Sequence, residues 1–285
     1  MSQLSKKAIA SKLLQEYSQL LRCPICKKTM IMQNDQSLVC EENHHFDLAK
    51  KGYVHLLSQS IETKYDKELF QSRQRIAEDG FFAPLIKSIT KIIGSNKTDA
   101  IMLDAGCGEG SHLAQIQQSL EQASFGIGAD IAKEGIQLAT SNSSNSVWIV
   151  ADLANLPIAT TSIDYILNIL SPSNYAEFDR LLKKEGKLIK VIPNSDYLKE
   201  LRGIFYEDKE AYDNESTKAR FQEKFELLHT EQVRYSVNVK QPLLNDLVKM
   251  TPLSWSADKS KVEEVNNTES MNITVDLSIL VGIKK

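Results

Sequence analysis

No apolar run in this sequence approaches the roughly 18 residues that a membrane-spanning helix needs, which excludes a helical span. The first 21 residues mix lysines with leucines and lack the continuous apolar stretch and small-residue cleavage site of a secretion signal. Internal repeats and low-complexity tracts are missing, so a solenoid or a repetitive tail is excluded. An excess of one charge is missing as well. The formal net charge is −3, which gives no overall basic field for gripping a polyanion. Cysteine is scarce, with four in 285 residues, too few and too unevenly spread for a disulfide scaffold. These absences describe a cytoplasmic globular protein.

What is present is unevenly distributed. Residues 1–60 carry eight Lys/Arg against five acids, and the remainder carries 26 against 32. A slightly basic small unit over 1–60, joined to an acidic larger one over 61–285, fits a gripping module beside a catalytic one. Residues 4–21 have helical apolar spacing, Tyr53 to Leu57 reads as a short strand, and the polar stretch 58–66 reads as a linker. Helices are expected through the late sixties and seventies, and from near Phe82 to just before Gly94. From residue 100 the plan changes. Short apolar runs at 100–104, 124–130, 147–152, 163–170 and 187–192 alternate with helical segments, which predicts βαβ units and a parallel α/β sheet. An alternating run at 233–239, a helix at 243–250 and a strand at 272–281 close the chain.

Three of the cysteines crowd together. Cys23-Pro-Ile-Cys26 is followed by Cys40, with His44 and His45 shortly after. Two residues between cysteines let both thiolates reach one metal from a tight turn, and a second turn completes a tetrahedron suited to structural Zn²⁺. The fourth ligand is open between the two histidines. A redox Cys-x-x-Cys would follow a strand of a βαβ unit, which is absent here. A segment this poor in core residues needs its metal to fold.

A second constellation runs from Asp104 through Gly106, Gly108 and Gly110, at a strand end that leads into a helix. The glycines let a ligand approach the backbone. The spacing is not that of dinucleotide sites, and no P-loop lysine follows. An acid ahead of the loop repels a pyrophosphate but suits a cation such as the methionine moiety of S-adenosylmethionine. Asp130 ends the next strand, placed for ribose hydroxyls, and Asp152 the one after, placed for the adenine amino group. Asn168, Ser171 and Pro172 follow the fourth strand, where the methyl group and its acceptor are expected to meet. Phe81, Phe82, Trp148 and Trp255 are expected in the core, Cys107 as a small buried residue, and His112 at the surface or as a cap.

Taken together, Cys23-Pro-Ile-Cys26, Cys40 with His44, the run His45-Phe-Asp-Leu-Ala-Lys-Lys-Gly-Tyr-Val54, Leu103 to Gly110, and Met250-Thr-Pro-Leu-Ser-Trp255 resemble the RlmA family of 23S rRNA (guanine-N1)-methyltransferases. The resemblance spans most of residues 22–285. It implies a Rossmann-like S-adenosylmethionine-dependent methyltransferase domain with a mostly parallel seven-stranded sheet, preceded by a small zinc-binding domain. It also implies His44 as the fourth ligand of one structural zinc beside Cys23, Cys26 and Cys40. Phe82, Gly108, Glu109 and Tyr197 are implied as cofactor contacts, and a 23S rRNA hairpin as substrate, with Lys50 and Lys51 available for its phosphates. A homodimer is implied too. The stretch 168–174 looks like the Gram-positive group, of a family in which some members confer tylosin-type macrolide resistance.

Guanine N1 lies on the Watson–Crick edge and carries a proton, so the target must be unpaired or flipped out, and a base or carbonyl must take that proton. Backbone carbonyls near Ser171 or Pro172 are candidates. Two other readings compete. A small-molecule methyltransferase would leave the metal module unexplained. A catalytically inactive RNA-binding zinc protein would leave the intact Asp104–Gly110 loop unexplained.

Overall fold

The computed structural model describes residues 4–57, 65–94, 98–142, 145–206 and 214–285. Most of the stretch expected as a linker, 58–64, lies outside the described residues. The chain opens with helix α1 (Lys6–Tyr17), capped by the Ser5 hydroxyl, which accepts from the Ala8 amide. A single 3₁₀ turn, Ser18–Leu20, leads out of it. Strands β1 (Met30–Gln33), β2 (Ser37–Cys40) and β3 (His45–Asp47) then form a small antiparallel sheet.

Strand β4 (Tyr53–His55) leaves that unit and pairs, parallel, with the edge of a large sheet. Helices α2 (Lys67–Glu78) and α3 (Ala83–Ile93) follow. Asp66 caps α2, and Gly94 ends α3 at a positive φ of 67° that glycine adopts without strain. The remaining strands of the large sheet are β5 (Ala100–Ala105), β6 (Ser124–Asp130), β7 (Ser146–Val150), β8 (Ile163–Ile169), β9 (Leu182–Pro193), β10 (Phe225–Lys240) and β11 (Ser270–Lys284). Between them run α4 (Ser111–Ser119), α5 (Lys133–Ala139) and α6 (Tyr175–Leu181).

The order across the large sheet is β10-β11-β9-β8-β5-β6-β7-β4. Seven of these strands run in one direction, and β11 runs against them. The sheet therefore has eight strands where the resemblance implied seven, the extra one being β4 from the N-terminal segment. The central strands β7 and β8 are buried along their whole length, as parallel strands covered on both faces must be. The order reverses at β5, which has β6 on one side and β8 on the other, and such a switch point opens a crevice at the carboxyl ends of the strands.

Alternate residues feed two cores. Met102 and Trp148 join Phe82, Leu85, Ile89 and Leu113 on one face. Leu103, Val147 and Ile149 join Leu14, Leu21, Met30 and Leu38 on the other. The N-terminal segment thus adds its apolar residues to the core of the large sheet. Tyr17 stacks on Phe125 of β6 with ring centroids 3.7 Å apart. The Arg22 amide donates to the Pro157 carbonyl, and Leu21 bridges to Ile158.

Trp255 lies outside both cores. It is 47% exposed and tilted against Tyr65 at 5.5 Å, because its 3₁₀ turn (Pro252–Ser254) is tied to the surface by the Tyr206 hydroxyl donating to the Leu253 carbonyl. No helix among the described residues is long and apolar enough to cross a membrane.

The shared core makes a stability prediction. Leu14 of α1 is 2% exposed against the large sheet. Leu14→Ala should lower the unfolding free energy by about 2–4 kcal/mol in urea titration, with fluorescence of sheet residue Trp148 and far-ultraviolet dichroism moving in one transition. Two separated transitions would show an N-terminal segment that folds on its own.

Candidate functional site

Two sites emerge, one in the small sheet and one at the switch point. In the first, the metal-binding atoms of Cys23, Cys26, Cys40 and His44 lie within 4.8 Å of one another. The Cys26 and Cys40 sulfurs are 3.5 Å apart, and His44 Nδ1 lies 3.5 Å from the Cys23 sulfur and 3.3 Å from that of Cys40. Zinc–sulfur bonds of about 2.3 Å in a tetrahedron place sulfurs about 3.8 Å apart, so the cage fits this ion.

Two tight turns build the cage. In the first, the Lys27 amide donates to the Cys23 carbonyl while Lys27 sits at φ 63°. In the second, the Asn43 amide donates to the Cys40 carbonyl while Asn43 sits at φ 61°. Burial pushes the Cys40 thiol towards its neutral form. Hydrogen bonds from the His44 amide, the Cys26 thiol and the Glu42 amide outweigh this and bring its pKa down to about 6, favouring the thiolate a metal requires. His45 turns away, with Nε2 3.0 Å from Asn43 Oδ1, and so takes no part.

The second site gathers residues from β5, β6 and three helices. Asp104 is paired in register with Gly128 of β6, and its side chain is 2% exposed. Its Oδ2 has no hydrogen-bond partner among the described residues, nor has Oε2 of the equally buried Glu109. Asp130 accepts from the Gly108 and Ala132 amides, both at 2.8 Å, which fixes the glycine loop to the tip of the neighbouring strand. Burial, then the charges of Glu109 and Asp130, push the Asp104 carboxyl well above the usual range. Buried acceptors without donors, gathered so closely, are the signature of a missing cationic or hydrogen-bonding ligand.

Gly108, at φ 55°, is the point where α2 closes on this cradle. A methyl group added there would sit 3.2 Å from both the Phe70 ring and the Arg73 guanidinium. Phe82, 2% exposed, forms another wall, with His112 edge-on to it at 5.1 Å. His112 is thus half-buried inside the site instead of lying at the surface or acting as a cap. Its Nε2 is sheltered and unpartnered, and burial brings its pKa down to about 4. Tyr197 joins the same electrostatic neighbourhood, since the Arg73 charge reaches it as well as Glu109, His112 and Asp130.

Asp152 stands further along the same sheet edge, beyond Val150, which is in register with Asp130. Its Oδ1 accepts from the Ala154 amide, and the turn it shapes carries Leu153 to within 3.6 Å of where a Gly106 side chain would begin. Cys107 is 6% exposed and packed in the core beside the loop.

Asn168 departs from its expected place facing the acceptor. It is wholly buried and its amide is consumed within its own loop. Nδ2 donates to the carbonyls of Ala105 and Pro172 and lies 2.6 Å from Ser171 Oγ. Oδ1 accepts from the Ser173 hydroxyl and from Lys190. The Lys190 ammonium, on the neighbouring position of β9, is 2.6 Å from both Asn168 Oδ1 and the Ser171 carbonyl. Burial brings its pKa down to about 8. Asn168 and Lys190 therefore shape the loop from within, and its outward parts are half-buried Ser171 with exposed Leu170 and Pro172. Ser171 touches the position a Gly106 side chain would fill, so the loop abuts the glycine turn. Sequence reasoning missed Lys190, although a lysine flanked by apolar residues in the run 187–192 was a usable signal. Arg73 left no such signal.

Known proteins match both the segment that carries the cysteines and the segment that carries the glycine loop. Residues 21–60 match a family model described as "RlmA, N-terminal", and residues 96–265 match one described as "Methyltransferase domain". The Bacillus subtilis protein "Putative 23S rRNA (guanine-N(1)-)-methyltransferase YxjB" is 42% identical over 274 residues, covering 93% of this chain and 97% of that protein. The "23S rRNA (guanine(748)-N(1))-methyltransferase" of Streptomyces fradiae is 27% identical over 270 residues, covering 91% and 95%. A Micromonospora griseorubida protein, "Putative 23S rRNA (guanine-N(1)-)-methyltransferase", is 25% identical over 284 residues, covering 91% and 95%.

Two outcomes follow from the geometry. Metal analysis should find one zinc per chain, and Cys26→Ser should lose it and unfold at least 10 °C lower, since such cages contribute directly to folding. Lys190→Met should slow methyl transfer at least tenfold while donor affinity stays within twofold, because it loosens the acceptor loop and leaves Asp104 and Glu109 in place. An equal loss of donor affinity would contradict this division of the site.

Proposed function

The chain belongs to the RlmA family of 23S rRNA (guanine-N1)-methyltransferases, and on that footing we propose that it methylates N1 of an unpaired guanine in 23S rRNA. The observation that carries the reading is the pair of buried, unpartnered carboxyl oxygens on Asp104 and Glu109 beside a glycine cradle. S-adenosylmethionine supplies an electrophilic methyl group on a sulfonium, and a pocket of acids beside a glycine loop suits its positive charge. Gly106, Gly108 and Glu109 would line the donor's amino-acid half with Asp104, Phe82 and Tyr197. Asp130 retains a lone pair on each oxygen for the ribose hydroxyls, and Asp152 stands further out for the adenine.

The acceptor side follows from the loop after β8. The Asn168 side chain is spent on the loop, so it cannot receive the N1 proton. The Ser171 and Pro172 carbonyls each accept one internal hydrogen bond and keep a second lone pair aimed elsewhere. We assign the orientation of the guanine edge to these two carbonyls, positioned by Lys190 and Asn168. Rigid positioning of nucleophile against methyl carbon is the main contribution the protein can make to an in-line displacement. Exposed Leu170, at φ 52°, stands at the rim where a flipped base would enter.

The zinc-binding segment is read as the RNA-recognition unit. Its exposed Ile25 and Ile31, with Lys50 and Lys51 nearby in sequence, offer apolar and cationic contacts. The requirement for an unpaired guanine supports a hairpin loop as target. The resemblance supports a homodimer, and a ribosomal RNA substrate supports a cytoplasmic place of work. Relatives that match over more than nine-tenths of their length favour this reading over a small-molecule acceptor, because the metal segment is included in the match.

The test is methylation of unmodified 23S rRNA by purified zinc-loaded protein, with nuclease mapping and mass spectrometry. One N1-methylguanosine is expected, and a product on free nucleosides but none on RNA would refute the proposal. Acidity provides a second check. Because burial and neighbouring acids raise the Asp104 pKa, protonation as pH falls removes charge that attracts the sulfonium. Donor affinity should fall as the pH is lowered, with the loss setting in at higher pH than for an ordinary carboxylate, and Asp104→Asn should bind at least tenfold more weakly at neutral pH with a flatter profile.

A further inference from the structure

Two arginines two residues apart on α2, and so on different sides of the helix, behave differently. Arg75 is locked to Asp246 of the helix Leu243–Met250, with Nε 2.8 Å and Nη2 2.6 Å from the carboxylate oxygens. Arg73 has no carboxylate within salt-bridge range among the described residues. Its guanidinium lies beside the Phe70 ring, with Cζ 5.7 Å from the centroid, and its Nη1 is 3.2 Å from where a Cβ on Gly108 would stand. The unpartnered oxygens of Asp104 and Glu109 belong to this same pocket, yet neither closes on the guanidinium.

That arrangement needs a physical reason. A half-buried guanidinium next to buried acids would ordinarily pair with one of them, which would satisfy both. The pocket instead keeps cation and anions apart across the cradle. A ligand carrying both charges at neighbouring atoms would satisfy both sides at once. Resting on the reading of this pocket as the methyl-donor site, we propose that Arg73 is the receptor for the α-carboxylate of the donor's amino-acid moiety, so that the pocket recognises the donor as a zwitterion. The planar fork of a guanidinium matches a carboxylate in two parallel hydrogen bonds, while the unpartnered acid oxygens take the α-ammonium. The Arg75–Asp246 pair, two residues further along, anchors α2 and so fixes where Arg73 stands. Demethylated product keeps the same amino-acid head, so the same grip applies to S-adenosylhomocysteine.

The experiment is titration calorimetry of the zinc-loaded full chain with three ligands. They are S-adenosylhomocysteine, its decarboxylated amine analogue, and methylthioadenosine, which lacks the amino-acid head. Wild type should bind S-adenosylhomocysteine at least tenfold more tightly than the decarboxylated amine. Arg73→Gln should weaken S-adenosylhomocysteine at least tenfold, leave the other two ligands within twofold, and abolish the discrimination. Arg73→Lys should restore part of it. Unchanged methylthioadenosine affinity shows that the variant's pocket is folded. Equal weakening of all three ligands, or none, overturns the role of Arg73 while leaving the donor site standing. Failure of wild type to bind any of them overturns the donor-site reading and this assignment with it.

Discussion

Carboxyl groups held out of water at the carboxyl edge of a parallel sheet are the constraint on which the large domain turns. Asp104 and Glu109 are each nearly inaccessible, and each leaves an oxygen without a donor. Such groups are costly unless a partner arrives. The fold pays that cost at the switch point, where β5 has neighbours running away on both sides and no side chain of the sheet can fill the gap. Asp130 behaves differently because its oxygens are already engaged by the Gly108 and Ala132 amides. One acid therefore holds the loop in place, while the others remain available to a ligand.

The metal segment contributes more than a separate knob. Its cage is closed by four side chains, which is the structural form of a zinc site. Its apolar residues join those of the sheet, so Cys23, Met30 and Leu38 share a core with Leu103 and Ile149. Strand β4 extends the same sheet. A small segment that borrows a core in this way is fixed against the large sheet.

The loop after β8 illustrates how a polar interior can serve shape. Asn168, Ser171, Ser173 and Lys190 satisfy one another with few donors or acceptors left over. The result is a stiff ridge against Gly106, where a side chain would collide with Ser171 at 2.7 Å. Glycine is thus required there by the close approach of two loops as well as by its φ of 83°.

Local spacing in the sequence was enough to determine the cysteine turns, the glycine loop with its preceding acid, the succession of apolar strands with Asp104, Asp130 and Asp152 near or just past their carboxyl ends, and the helix that stops at Gly94. Each of these depends on a few neighbouring residues, whose backbone geometry is set by their own side chains. Tertiary structure alone decided between His44 and His45, since adjacent residues point to opposite sides and only the folded turn shows which faces the thiols. It also decided that Asn168 turns inward to Lys190, that β4 becomes an eighth strand, that Trp255 stays exposed, and that Arg73 reaches Gly108 from a helix 35 residues earlier. Those outcomes depend on sheet register and on how distant segments pack, and a linear pattern carries no record of which distant side chain will fill a given space.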